Sequence, residues 1–186
     1  MEKEFNYYLI TDPDYYTNDV KLFEKKLTDV LRSKKVDIAC FRDKVSENYE
    51  ELAKVFVETC KKFNIKKTLL NENLDLAIKL NTGVHLTSTQ FDKIKIAKDT
   101  NLFTIISCHN EKDIELAIKN KADAITYSPI FNTPNKGEPK GIKKLKEIKK
   151  NYNINIIALG GIVSQAQIKQ IEEIDIYGFA SIRYFI

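Results

Sequence analysis

The chain has 186 residues, of which 43% are hydrophobic and 30% are charged, a composition typical of one soluble globular domain spanning residues 1–186. No segment approaches the roughly 20 consecutive apolar residues of a membrane span, and the short charged start does not resemble a signal peptide. The net charge of +4 comes from lysines mixed with acids, which indicates solvated helix faces. We therefore expect no membrane partner and no nucleic-acid partner.

Three cysteines, Cys40, Cys60 and Cys108, are widely spaced along the chain. An odd number at such spacing fits neither a disulfide framework nor a metal cluster. This usage favours a reducing compartment, and we expect a cytoplasmic protein.

Eight short apolar runs rich in β-branched residues predict strands, and amphipathic stretches with helical spacing lie between them. The runs are Tyr7–Thr11, Asp37–Arg42, Lys67–Asn71, Gly83–Thr87, Leu102–Cys108, Ala124–Pro129, Asn155–Leu159 and Gly178–Arg183. Asn110 and Ser164 are positioned to cap two of the helices. Eight alternating strands can close into a (β/α)8 TIM barrel, an α/β fold. The alternative, an open doubly wound sheet, usually carries a glycine-rich fingerprint that is absent here.

The predicted eighth strand lies just before Ile186, so we expect a short barrel that lacks the eighth helix. Large apolar side chains on the outside of this strand would then have no helix to pack on. A symmetric homodimer could cover this apolar seam. The competing explanation is that Met1–Phe5 fold across part of it.

Polar residues at the C-terminal ends of the strands are candidate site residues, because barrels of this kind place catalysis there. Arg42 and Lys44 follow the second strand and share one side with Cys40, which we expect to be the interior. Two cations in a barrel mouth require an anion. That anion is either a ligand or an internal carboxylate such as Glu72.

Ser107 and His109 share one side of the fifth strand, while Cys108 faces the helices. A histidine in a polar mouth is a candidate general acid or base, the alternative being a structural histidine held by hydrogen bonds. His85 lies within the fourth strand, where a structural role is favoured. A Cys108 nucleophile is disfavoured because His109 points the other way.

Two further segments are candidates for ligand binding. The irregular stretch 129–141 contains three prolines and two glycines, and a loop of this length is typical of an active-site lid. Gly160 and Gly161 follow the seventh strand, where barrels commonly seat a phosphate, and glycines let backbone N–H groups approach an anion.

Seven motifs, in order along residues 8–182, resemble those of the thiamine phosphate synthase and thiazole tautomerase family. They are Tyr8–Asp12, Arg42–Lys44, Asn71–Ala77, Gly83–Leu86, Ser107–Asn110, Pro129–Lys136 and Ala158–Ile162. The resemblance implies a TIM barrel that acts on a small phosphorylated thiazole in thiamine biosynthesis. It implies that Asn71, Thr133 and Lys136 contact the substrate together with Ser107.

The family has two chemistries. Its synthase joins a hydroxymethylpyrimidine pyrophosphate to a thiazole phosphate, releases pyrophosphate, and holds Mg2+ with two aspartates. Its tautomerase isomerises a thiazole carboxylate phosphate without a metal, using a histidine at the position of His109. This sequence has Glu72 and Gln90 at the two aspartate positions, and a neutral amide is a poor ligand for a hard cation.

We therefore expect a metal-independent, thiazole tautomerase-like isomerase that requires no cofactor. Its catalytic residues would be His109, which moves the proton, and Lys44. Either Lys44 or Arg42 would hold the substrate carboxylate. Gly160 and Gly161 would seat the phosphate with help from Arg183. The alternatives are a divergent synthase that requires Mg2+ on Glu72, and a non-catalytic ligand-binding relic of the barrel.

Overall fold

A computed structural model describes residues 5–134 and 136–186, and in them eight parallel strands alternate with seven α-helices. The strands are β1 (Asn6–Ile10), β2 (Ile38–Phe41), β3 (Lys67–Asn71), β4 (Gly83–Leu86), β5 (Thr104–Cys108), β6 (Ala124–Tyr127), β7 (Asn155–Leu159) and β8 (Gly178–Ser181). They pair in chain order, and β8 pairs with β1. The predicted (β/α)8 barrel is confirmed.

The helices lie on the outside of the barrel, and local side-chain caps define where several of them begin. They are α1 (Val20–Ser33), α2 (Tyr49–Lys62), α3 (Leu74–Lys79), α4 (Lys93–Asp99), α5 (Glu111–Lys119), α6 (Gly141–Asn151) and α7 (Gln165–Glu172). Asn110 accepts a hydrogen bond from the backbone N–H of Asp113 at 2.9 Å, and Ser164 forms a capping box with Gln167. Both predicted caps are confirmed. None of the described helices is long and apolar enough to span a membrane.

The core has two layers, one inside the barrel and one between strands and helices. The interior layer contains Tyr8, Ile10, Ile38, Cys40, Leu69, Ile105, Ala124, Ile157 and Ala180. Cys40 lies in this layer and Cys108 in the outer one, as strand alternation predicts. All three cysteines are buried and free.

The end of β8 differs from the sequence prediction. The strand stops at Ser181 instead of Arg183, and Arg183–Phe185 form one turn of 3₁₀ helix. This turn brings the Phe185 ring onto the Phe179 ring with centroids 6.2 Å apart, and the Phe5 ring lies 6.0 Å from Phe179. Phe179 and Phe185 are fully buried as a result.

The prediction of a bare apolar seam along strand eight is therefore wrong, because the chain's own aromatic rings cover this surface. Phe5 contributes to this cover, as the competing explanation proposed, while residues 1–4 lie outside the described residues. The homodimer inferred from the seam stays a prediction and loses this support.

The loop between β6 and α6 is held against the turn after β7. Ile130 N donates to Leu159 O at 2.9 Å, and Phe131 N donates to Gly160 O at 3.0 Å. A Cβ on Gly161, whose φ is +69°, would overlap the carbonyl oxygen of Asn132 and lie 2.8 Å from the carbonyl carbon of Phe131. The close contact with this loop therefore requires glycine at position 161, in addition to any need for an anion to approach the backbone. Asn135 of the same loop lies outside the described residues.

Replacing Gly161 by alanine should destabilise the fold by about 2–4 kcal/mol, the sum of left-handed backbone strain and a collision with the loop. The matched control is Gly141→Ala, since Gly141 has a φ of +75° but open space around its Cβ position. The control should lose only the strain, about 1–2 kcal/mol. Denaturant unfolding measures both. Equal losses in the two variants would contradict the inferred loop contact.

Candidate functional site

One cavity of about 590 Å³ occupies the C-terminal mouth of the barrel, a volume typical of small-molecule sites. It is lined by every site residue that the sequence predicted, namely Arg42, Lys44, Asn71, Glu72, Ser107, His109, Thr133, Lys136, Gly160, Gly161 and Arg183. These residues come from the ends of six different strands. The structure thus brings the predicted set together, and the role of each residue stays a prediction.

The two cations after β2 are each paired with a carboxylate. The Arg42 guanidinium contacts the Asp12 carboxylate, and Lys44 Nζ lies 2.7 Å from Glu72 Oε1. The internal partner anticipated for these cations, Glu72, is present for Lys44. Asp12 was not predicted as a site residue, although its position two residues after the end of β1 was a usable signal. Pairing leaves the cations oriented and balanced before any ligand binds.

Glu72 and Gln90 occupy the two positions at which the family has metal-binding aspartates, and Gln90 forms hydrogen bonds within the protein instead. Gln90 Oε1 accepts the backbone N–H of Thr87 at 3.1 Å, and its Nε2 donates to the backbone carbonyl of Glu72 at 3.1 Å. Gln90 therefore ties the turn after β4 to the end of β3. The described residues contain no group of three His, Cys, Asp or Glu side chains arranged around a metal position. Of the two positions, Glu72 alone offers a carboxylate.

A single carboxylate can hold Mg2+ when waters and a substrate supply the other ligands. Mg2+ keeps several waters and is commonly held by one or two carboxylates together with substrate phosphates. Glu72 fits such a site when a phosphorylated substrate supplies the remaining oxygen ligands.

His109 lies at the rim of the cavity with an exposed side chain. Its Nδ1 is 3.3 Å from both the carbonyl oxygen and the hydroxyl of Ser128, and its backbone N–H donates to Asp113 at 2.7 Å. An Nδ1–H that donates to the Ser128 carbonyl leaves Nε2 available to a ligand. This geometry permits proton transfer and equally permits simple ligand binding.

The floor of the cavity contains a histidine, His85, for which the sequence favoured a structural role. His85 is buried, with Nδ1 2.8 Å from Tyr8 Oη and Nε2 3.2 Å from Ser107 Oγ. Burial lowers the pKa of His85 to about 4, so the imidazole is neutral at physiological pH. His85 also lines the cavity, a placement that the Gly83–Leu86 motif could have signalled.

The turns after β7 and β8 form a candidate anion-binding surface. Within the described residues, the backbone N–H groups of Gly161, Ile162 and Arg183 donate to no protein acceptor. Ser181 Oγ donates to the carbonyl of Ile162 at 2.7 Å and holds the two turns together. The Arg183 side chain is exposed on the cavity and forms no ion pair with the described residues. N–H groups beside a guanidinium are suited to a phosphate.

Comparisons with known proteins agree with the family resemblance of the sequence motifs. The sequence profile of the thiamine monophosphate synthase family matches residues 7–185. A protein of Aquifex aeolicus (strain VF5), named as a candidate thiamine-phosphate synthase, is 34% identical over 185 residues, which cover 96% of each chain. The thiamine-phosphate synthase of Prochlorococcus marinus subsp. pastoris is 33% identical over 162 residues, which cover 84% of this chain but only 44% of that relative.

A solved structure, thiamine phosphate pyrophosphorylase from Pyrococcus furiosus, superposes with a TM-score of 0.80 over 97% of this chain and 86% of that one. Its identity of 20% supports the fold alone. The relatives carry the names of synthases, so the preference for a tautomerase-like isomerase is not supported. The chain belongs to the thiamine monophosphate synthase family, whose enzymes act in thiamine biosynthesis.

Proposed function

We propose that this protein is a synthase-type transferase, which joins a pyrimidine-methyl diphosphate to a thiazole phosphate and releases diphosphate. The supporting observation is the arrangement of charge across the mouth. The anion-binding surface with Gly161 and Arg183 follows β7 and β8, whereas the Lys44–Glu72 pair follows β2 and β3. In an eight-stranded barrel β3 lies opposite β7. Two phosphorylated substrates can thus bind on opposite sides with their reacting ends between them.

The thiazole phosphate is assigned to the β7–β8 side. There Gly161 and Ile162 offer backbone N–H groups, and Arg183 adds a guanidinium that can bind a phosphate through two parallel hydrogen bonds. This arrangement fixes the thiazole by its phosphate and leaves its ring directed towards the centre of the mouth.

The diphosphate is assigned to the β2–β3 side. Lys44 exchanges its contact with Glu72 for a diphosphate oxygen, and Arg42, oriented by Asp12, contributes a second positive charge. Mg2+, held by Glu72 together with the diphosphate, would supply further positive charge that neutralises the departing diphosphate. Such preorganised charge favours breaking the bond between the pyrimidine methylene carbon and oxygen as the new bond to the thiazole forms.

The loop after β6 supplies a cover for the reacting groups. Thr133 and Lys136 line the cavity, and Thr133 Oγ1 donates to the carbonyl of Phe131 at 2.9 Å. The loop is fixed to the β7 turn through Ile130 and Phe131, so it lies beside the phosphate surface. Exclusion of water by this cover protects the pyrimidine diphosphate from hydrolysis.

The isomerase is the second candidate, because Gln90 removes one carboxylate and His109 lines the cavity. In that reaction His109 would move a proton between two carbon atoms of a thiazole carboxylate phosphate, and Lys44 would contact the carboxylate. No metal would be required.

The purified chain should form thiamine phosphate and diphosphate in equal amounts when it is given both substrates and Mg2+. Glu72→Gln should lower kcat/KM by about 10²-fold, because it removes the carboxylate that would hold Mg2+ beside the departing diphosphate. The matched control is Glu50→Gln, since Glu50 pairs with Lys54 and Lys79 on the outer surface. This control should leave the rate unchanged.

His109→Ala separates the two reactions. Under the proposal it changes the coupling rate by less than tenfold, whereas loss of a general acid or base would cost about 10²–10⁴-fold in isomerisation. Isomerisation of the thiazole carboxylate phosphate without any coupling product would contradict the synthase. Binding of both substrates with neither reaction would identify a non-catalytic relic.

A further inference from the structure

The buried floor of the cavity contains a directed chain of hydrogen bonds. Tyr8 Oη contacts His85 Nδ1 at 2.8 Å, and His85 Nε2 contacts Ser107 Oγ at 3.2 Å and Thr126 Oγ1 at 3.3 Å. Thr126 Oγ1 in turn donates to Ser107 Oγ at 3.4 Å. Tyr8, His85 and Thr126 are buried, and Ser107 alone of the four is partly exposed.

The first bond of this chain has a defined direction. Burial raises the pKa of Tyr8 well above its ordinary value, so the phenol keeps its proton. Its other polar neighbour is the thiol of Cys40, and sulfur is a weak acceptor. Tyr8 therefore donates to His85 Nδ1. A neutral imidazole carries one proton, and it must then reside on Nε2.

The second part of the chain follows from the first. Ser107 Oγ accepts from His85 Nε2–H, a donor that it shares with Thr126 Oγ1, and from the Thr126 hydroxyl, so a donor faces each of its two lone pairs. Its own proton is left to point into the cavity that Ser107 lines. The serine hydroxyl thus has a fixed polarity, in contrast to an ordinary serine that can either donate or accept.

We propose that Tyr8 and His85 are positioning residues that make Ser107 an obligate hydrogen-bond donor, so that the ligand group above the barrel floor must be an acceptor. An acceptor here is an oxygen of the diphosphate, an unprotonated nitrogen of the pyrimidine ring, or an atom of the thiazole phosphate. A protonated ring nitrogen or an amino group is rejected, because Ser107 has no lone pair left to receive it. The identity of the ligands rests on the proposed function, whereas the polarity of Ser107 does not.

The tautomer of His85 is measured directly by long-range ¹H–¹⁵N NMR spectra of the ligand-free protein. The chain has two histidines, so His109→Ala assigns the spectrum. We expect His85 in the wild type to show a protonated Nε2 and an unprotonated Nδ1 at neutral pH. A wild-type protein with the proton on Nδ1 would overturn the proposal, whether or not any variant folds.

The variant Tyr8→Phe removes the hydroxyl that fixes the tautomer. The Nδ1-protonated tautomer of His85 should then appear beside the Nε2-protonated one or replace it. The matched control is Tyr16→Phe, because Tyr16 is also a buried tyrosine and its hydroxyl has no hydrogen-bond partner in the described part of the chain. The control should leave the His85 signals unchanged. Identical spectra for the two variants would contradict the proposed role of Tyr8.

Binding of two probes, the pyrimidine-methyl diphosphate with Mg2+ and thiazole phosphate alone, identifies by calorimetry the substrate that carries the acceptor. Tyr8→Phe and Ser107→Ala should each raise the Kd of one and the same probe by about three- to tenfold, the loss expected for one hydrogen bond. That probe carries the acceptor. Unchanged Kd values for both probes would overturn the proposal. Absence of turnover with this binding pattern intact would count against the synthase assignment alone.

Discussion

The pairing of β1 with β8 is the contact on which the site depends, because it closes the sheet. Asn6 lies opposite Gly178 in this pairing, and any Cβ at position 178 would overlap the carbonyl oxygen of Asn6. Glycine therefore lets the last strand approach the first. Once the ring is closed, the C-terminal ends of all eight strands meet at one mouth, and polar residues far apart in sequence line a single cavity.

Charge is distributed around this mouth in two different ways. On the β2–β3 side Lys44 and Glu72 are paired with each other while both side chains remain partly exposed to solvent, so the pairing orients them and contributes little to stability. On the β7–β8 side the backbone N–H groups of Gly161 and Ile162 stand beside Arg183, whose guanidinium has no ion-pair partner in the described chain. A ligand must displace an internal partner on the first side, whereas it simply adds to the second. Such a contrast suits a reaction in which one phosphate is retained and a diphosphate departs.

The sequence predicted the strands and caps because their signals are local, and alternation correctly placed Cys40 inside and Cys108 outside. It failed at the end of β8, where Phe185 packs on Phe179 through a turn that depends on tertiary contacts. Sequence analysis also missed Asp12, because its partner Arg42 follows a different strand and the pair forms only in the folded barrel. The preference for an isomerase came from counting carboxylates, although substrate phosphates can complete a magnesium site.

A crystal structure of the protein soaked with thiazole phosphate, inorganic diphosphate and Mg2+ tests the proposed synthase geometry most directly. We predict two anions bound together on opposite sides of the mouth. The thiazole phosphate should contact the N–H groups of Gly161 and Ile162 and the guanidinium of Arg183. The diphosphate should contact Lys44, with Mg2+ between it and Glu72. Both anions on one side, or a diphosphate bound away from Lys44 and Glu72, would contradict the proposed synthase geometry.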